Sequence, residues 1–187
     1  MAFLYYTATT LNGFLADDNN SLQWLFDVPG AQEAEAGIDD LLVGVSTLAM
    51  GSTTYEWMLR ELDLLNFPEK WTESYGSRPT WVFSSRELPV PAGVDVRVIN
   101  SSVADALPGI LASAGAGDVW IVGGGDLAGQ FLDAGALDRI TLTLAPVFLP
   151  GGAPLFPRRL ESSHLHLTGT RQTGQFVELT FDVTPPG

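Results

Sequence analysis

The sequence predicts an α/β fold: a three-layer α/β/α arrangement around a mixed, mainly parallel sheet that ends in an antiparallel C-terminal hairpin. Three observations predict it. Short β-rich apolar runs alternate with helix-favouring stretches through the middle of the chain, as consecutive βαβ units require. Two of these runs, 46–50 and 118–122, end in glycine and lead straight into a helix. The last two runs, 165–169 and 175–183, have no helix between them and therefore pair as a hairpin at the sheet edge.

Each element has a local reason. Residues 3–9 (FLYYTAT) form a first strand, and Asn12-Gly13 turns the chain. A loop at 21–27 (SLQWLFD) carries Trp24, and Pro29-Gly30 precedes a helix over 31–43. The short buried strand 46–50 (STLAM) stops at Gly51. In the following GSTTYEWMLREL, Thr53 and Glu56 have the spacing of a capping box. Strand 80–83 (TWVF) stops at Ser84, Ser85 and Arg86, and 94–99 alternates as a further strand. Ser102 starts a helix that Pro108 is expected to kink. Strand 118–122 and helix 126–134 follow, then a long strand over 137–149 that ends at Pro150-Gly151-Gly152.

The 187 residues, 45% of them hydrophobic and 17% charged, lie within the range of one compact domain, taken as 1–187. No apolar run approaches the roughly 18 residues of a membrane helix. The start, MAFLYYTATTLNGF, lacks a basic leader region, so the expected location is the cytoplasm. There is no cysteine, which excludes disulfides, thiolate chemistry and cysteine-held metals. A net charge of −13 with nine basic residues argues against a nucleic-acid partner. An anionic ligand must then be held locally, by helix N-termini and one or two arginines.

Four patterns could carry chemistry. In IVGGGDLAGQF, Gly123-x-Gly125-x-x-Ala128 follows a strand and opens a helix, where free N–H groups and the helix dipole favour an anion. A Rossmann fold would need an acid about 20 residues further on, at the end of the next strand, and that strand ends TLAPVFL. The choice there is between a phosphate cradle and a bare tight turn. Gly51, Ser52, Thr53 and Thr54 present a second helix N-terminus, readable as a cap or as a second grip on the same ligand. Ser84, Ser85 and Arg86 are either an ordinary turn or a phosphate site at the binding edge of the sheet. His164 and His166 would share a strand face, but no third ligand is evident, so no metal is assigned. In the first loop Trp24 either packs in the core or walls a pocket for a flat ring, and Asp17, Asp18 and Asp27 lie near it.

The order of the pieces TLNGFLAD (10–17), SLQWL (21–25), MGSTTYE (50–56), VFSS (82–85), VGGGDLAGQFL (122–132) and LAPVFLPGG (144–152) resembles the dihydrofolate reductase-like superfamily. Within it, the chain is most similar to the bacterial branch related to the reductase half of the bifunctional riboflavin-biosynthesis enzyme. The likeness spans residues 3 to about 157. It implies a sheet of about eight strands, a reductase that takes hydride from NADPH, with NADH possible, and a homodimer. It also implies that Gly51, Ser52, Thr53, Thr54, Ser84, Ser85, Arg86, Val122, Gly123, Gly124, Gly125, Asp126 and Leu127 hold the cofactor, with the first loop over nicotinamide and substrate. Several positions depart from the family. Ser52 replaces an Arg of dihydrofolate reductases, Asp126 stands where many have a basic residue, Val122 replaces a Glu of the riboflavin-pathway reductases, and Asn12-Gly13 replaces the branch's Asp-Gly.

The sequence thus reads as an NAD(P)H-dependent reductase of a small heterocyclic, pteridine- or pyrimidine-like substrate. Trp24 is placed against the substrate, and Asp27, or a water held near Asn12, is the candidate proton donor. No membrane or nucleic-acid partner is expected. The alternative is a non-catalytic nucleotide-binding or scaffold protein that keeps the fold, favoured by the charges missing at 12, 52 and 122.

Overall fold

The computed structural model describes residues 1–184, with residues 33–36 described by their backbone only. The chain runs β1 (Phe3–Thr10), β2 (Phe14–Ala16), α1 (Gln23–Phe26), α2 (Ala31–Gly44), β3 (Val45–Gly51), α3 (Ser52–Glu61), α4 (Glu69–Tyr75), β4 (Thr80–Phe83) and β5 (Val96–Ile99). It continues through α5 (Val103–Ala114), β6 (Asp118–Gly123), α6 (Gly125–Asp133), β7 (Arg139–Ala145), β8 (Ala153–Pro154), β9 (Leu165–Thr173) and β10 (Phe176–Val183).

Eight strands form one sheet in the order β5-β4-β3-β6-β1-β7-β10-β9, and β2 pairs with β8 beside it. The six strands from β5 to β7 run parallel, while β10 and β9 are antiparallel. This is the mainly parallel α/β sheet with a terminal hairpin that the sequence predicts.

The central strands are apolar on both faces because helices cover both. Phe3 and Tyr5 of β1 and Ile121 of β6 point into a core closed by Val103 and Ile110 of α5 and Leu127 and Phe131 of α6. Leu4, Tyr6 and Trp120 point the other way, into a core closed by Leu42 of α2, Tyr55 and Met58 of α3 and Trp71 of α4. Arg78 ties the second layer together. Its guanidinium donates to the carbonyls of Val45, Tyr75 and Leu42 at 2.7–2.8 Å, which satisfies backbone acceptors at the ends of α2 and α4.

Several local expectations are corrected. β7 stops at Ala145 and not at 149, since Pro146 has no N–H for the ladder. β9 runs on to Thr173, because the register shift between Thr180 and Phe181, opposite Gly169, is absorbed as an irregularity and does not end the strand. The capping box does not form: Gly51 is the N-cap of α3, so Thr53 lies too far along to cap it. Trp24 sits on α1 and not in a loop. Helix α5 passes through Pro108 without a break in its span. His164 belongs to a short 3₁₀ turn, Ser162–His164, with Nδ1 2.9 Å from the Thr184 carbonyl, so it does not share a strand face with His166. Among the described residues no helix is long and apolar enough to cross a membrane.

Candidate functional site

Strands β3 and β6 are neighbours and parallel, yet the helices that follow them leave for opposite faces: α3 joins the core of α2 and α4, and α6 that of α5. Where following helices diverge in this way, the carboxyl ends of the strands border a crevice. Both strands here end in glycine. Met50 is opposite Gly123 in the register, and a Cβ on Gly51 would lie 3.8 Å from the carbonyl oxygen of Gly123 and the nitrogen of Gly124. A Cβ on Gly123 would lie 3.2 Å from the Thr54 hydroxyl. The two glycine turns thus touch, and two helix N-termini converge on one crevice.

The three consecutive glycines have different reasons. Gly123 has φ +154°, a conformation L side chains rarely adopt, and its peptide bond to Gly124 is cis. Gly124, the N-cap of α6, is open: a Cβ there would meet nothing within 4 Å. Gly125 is enclosed, since a Cβ would fall 2.2 Å from the Leu155 carbonyl oxygen. Neither α3 nor α6 has a side chain capping its first turn, so their leading N–H groups are left to a ligand or solvent. Asp126, Leu127 and Val122 flank this turn; Leu127 is buried in the core and Val122 is partly buried.

The first loop reaches the same place. The hydroxyl of Thr10 accepts from Phe14 N–H at 3.0 Å, β2 pairs with β8, and Leu155 N–H donates to Gly13 at 2.8 Å. Since Leu155 is also the residue pressed on Gly125, the loop and the start of α6 are stacked through one segment. On the opposite side Phe26 of α1 stacks on Trp57 of α3, ring centroids 6.4 Å apart. Trp24 packs with Val28, Ala145 and Phe176 near the end of β7. Helix α1 therefore spans from β7 to α3 along the carboxyl edge and forms a wall of the crevice.

Residues 3–179 match the family described as the RibD C-terminal domain. The chain belongs to that family. It is 29% identical to the uncharacterized protein YwjB of Bacillus subtilis (strain 168) over 176 residues, 94% of each chain. It is also similar to the crystal structure of a putative riboflavin biosynthesis protein from Shewanella sp. PV-4, at TM-score 0.78, 28% identity and coverage of 98% and 99% of the two chains. Dihydrofolate reductase from Enterococcus faecalis, solved with NADP(H), shares the fold at TM-score 0.62 and 15% identity, over 97% of this chain and 96% of that one.

In this RibD C-terminal domain the remaining candidates fall into two groups. Ser84 closes β4 beside Gly51 of β3, and its hydroxyl is used within a turn: it accepts from Arg86 N–H at 3.0 Å and donates to the Arg86 carbonyl at 2.8 Å. Ser85 is exposed, and Arg86 is held bidentately by Glu56 of α3 at 3.0 and 2.8 Å. The turns at Gly51, Ser84 and Gly123 thus stand side by side at one sheet edge. The two proton-handling candidates are placed less directly. The Asn12 amide is committed to the 147–149 loop: it donates to the Leu149 carbonyl at 2.7 Å while its oxygen accepts from Leu149 N–H at 3.2 Å. Asp27 is exposed at the end of α1 and accepts from the Gln23 amide at 2.8 Å. The indole N–H of Trp24 is buried and has no partner among the described residues.

Sequence reasoning missed Arg158. It follows β8, and its guanidinium lies along α6, 3.0 Å from Asp126 and 2.9 Å from Asp133. The negative charge at the mouth of the glycine turn is therefore matched by a cation on the same helix surface. The Gln130 amide and Arg158 together hold the Asp126 carboxyl below the usual aspartate range. No local signal in PLFPRRL points to this contact, because it depends on where β8 places the following loop.

Proposed function

We propose that this protein is an NAD(P)H-dependent reductase of a small heterocyclic substrate, pteridine- or pyrimidine-like, working as one domain over 1–187 in the cytoplasm. The observation that carries the reading is the contact of the two glycine turns, Gly51 to Thr54 and Gly123 to Leu127, with open backbone at Gly124. Their uncapped N–H groups fit a pyrophosphate, which needs several donors from two directions and no side chain in the way. Ser85 and Arg86, one strand further out, lie on the side suited to the adenosine end.

When bound, the nicotinamide supplies the hydride. The chain's own residues bind and orient. The Thr54 hydroxyl lines the glycine turn, Trp24 offers a flat apolar wall and a buried free N–H for a polar substrate atom, and α1 limits access of water. Support for a reductase comes from the Shewanella riboflavin-biosynthesis relative and from the NADP(H)-bound enzyme of the same fold.

The test is a tryptophan-fluorescence titration with NADPH and NADH. Saturable quenching at micromolar NADPH is the expected result, and no response to either at millimolar concentration rejects the reading. Replacing Arg86→Ala reduces the preference for NADPH over NADH; an unchanged preference removes Arg86 from the phosphate site. A second reading, nucleotide binding without turnover, is favoured by one observation: Asn12 is fully engaged in holding a loop and Asp27 is exposed. Binding without oxidation of NADPH across a panel of pteridines and pyrimidines would select it.

A further inference from the structure

We propose that the apolar face of the C-terminal hairpin is the two-fold interface of a dimer of this chain. The proposal does not rest on the reductase reading. Strand β10 alternates strictly: Val177, Leu179 and Phe181 point to one face of the sheet, and Glu178, Thr180 and Asp182 to the other. Such alternation is the pattern of a strand with one buried face. The register continues the apolar face onto Leu144 of β7 and Leu167 of β9.

That face is bare in the protomer. Helices α5 and α6 lie over the other half of the sheet, and none of Leu144, Leu167, Val177, Leu179 and Phe181 belongs to a core or packs against one. Leu167 is 50% exposed and Val177 42%. A contiguous apolar patch of this kind on a soluble chain marks an interaction surface.

Two arguments select a second copy as its cover. Only residues 185–187 lie beyond the described chain, and three residues span about 10 Å, too little to cover three strands. The chain carries a net charge of −13, so two copies repel wherever their carboxylates meet. On this face the other β9 residues, Thr170 and Gln172, are also uncharged, while Arg139, Arg171, Glu178 and Asp182 all stand on the reverse. Here alone in the hairpin two copies can meet without desolvating a charge. A two-fold axis stacks the patch on itself as two sheets about 10 Å apart, an isologous contact that closes at two chains.

Sedimentation equilibrium of the full chain tests this, with wild type, the Leu167→Glu/Val177→Glu double variant, and Val43→Glu as a control at an apolar residue exposed on α2 (89%). Wild type is expected at twice the chain mass at micromolar concentration. The double variant is expected to keep its far-ultraviolet dichroism and to raise the dissociation constant about 100-fold or more, since buried carboxylates must lose water. The control is expected to match wild type. If the double variant does not fold, Thr170→Glu, at an exposed polar position of the same face, must give the same shift. A wild-type chain that stays monomeric to about 100 µM overturns the proposal. So does a dimer that survives these substitutions, or one that Val43→Glu breaks equally.

Discussion

Arg158 holds Asp126: its Nη1 lies 3.0 Å from the carboxylate, while its Nε lies 2.9 Å from Asp133 two turns along α6. An acid in the first turn of a helix suits the helix dipole but opposes an incoming phosphate. The pairing explains how α6 can keep Asp126 beside an anion-binding turn.

Removing the cation should therefore affect binding more than folding. Arg158→Ala is expected to weaken NADPH binding about 3–10-fold at low salt, with the gap closing as salt rises. Stability should fall by less than about 1 kcal/mol, because both carboxylates are more than half exposed. Paired calorimetric titrations and thermal melts measure the two effects. The sign of the pH dependence also follows. Asp126 has a lowered folded pKa, so its contribution is full above the ordinary aspartate pKa and is lost as pH falls through the lower folded value.

Gly125→Ala should be strongly destabilising. The added methyl would sit 2.2 Å from the Leu155 carbonyl oxygen and 2.5 Å from that of Pro154, both backbone atoms that cannot rotate away. A cost of about 2–4 kcal/mol is expected from overpacking and backbone shift. Chemical denaturation measures it, and a variant as stable as wild type would mean that β8 does not press on α6.

Arg78→Ala is expected to cost about 3 kcal/mol, read from the denaturation midpoint, because three carbonyls lose a charged donor at once. Arg78→Lys should recover only part, since one ammonium cannot span acceptors on α2, α4 and β3 as a planar fork does.

Alkaline titration should find the tyrosines late. Burial pushes the Tyr5, Tyr6 and Tyr55 phenols up, Tyr55 to about 12. In the unfolded chain they ionise near ~10. Raised folded values mean stability that is full below that pH and is lost as pH rises toward the folded values. Tyrosinate absorbance should therefore develop in step with unfolding above pH ~10, and a smooth titration of all four tyrosines near the free value would contradict their burial.

The layers of the fold were legible because hydrophobic pattern and glycine punctuation are local. Ser46 to Gly51 and Asp118 to Gly123 announce a parallel strand and the turn after it within a few residues. The three cofactor turns were legible for the same reason, although their adjacency is a property of strand order, which places β6 between β3 and β1. What was illegible is long-range. Arg158 meets Asp126 across 32 residues, Asn12 meets Leu149 across 137, and Phe26 meets Trp57 through packing of two helices. The capping-box reading of Thr53 and Glu56 failed because Gly51 capped the helix first, which released Glu56 to hold Arg86.

The central claim is that the crevice between β3 and β6 holds a nicotinamide dinucleotide through the backbone at Gly124. Calorimetric titration of NADPH into wild type and Gly124→Val tests it most directly. A side chain at 124 meets no other protein atom within 4 Å at its Cβ, so the variant should melt close to wild type. The account predicts micromolar binding by wild type and a loss of about 10-fold or more in the variant. Equal affinity in both proteins, or no heat from wild type at millimolar NADPH, would contradict it.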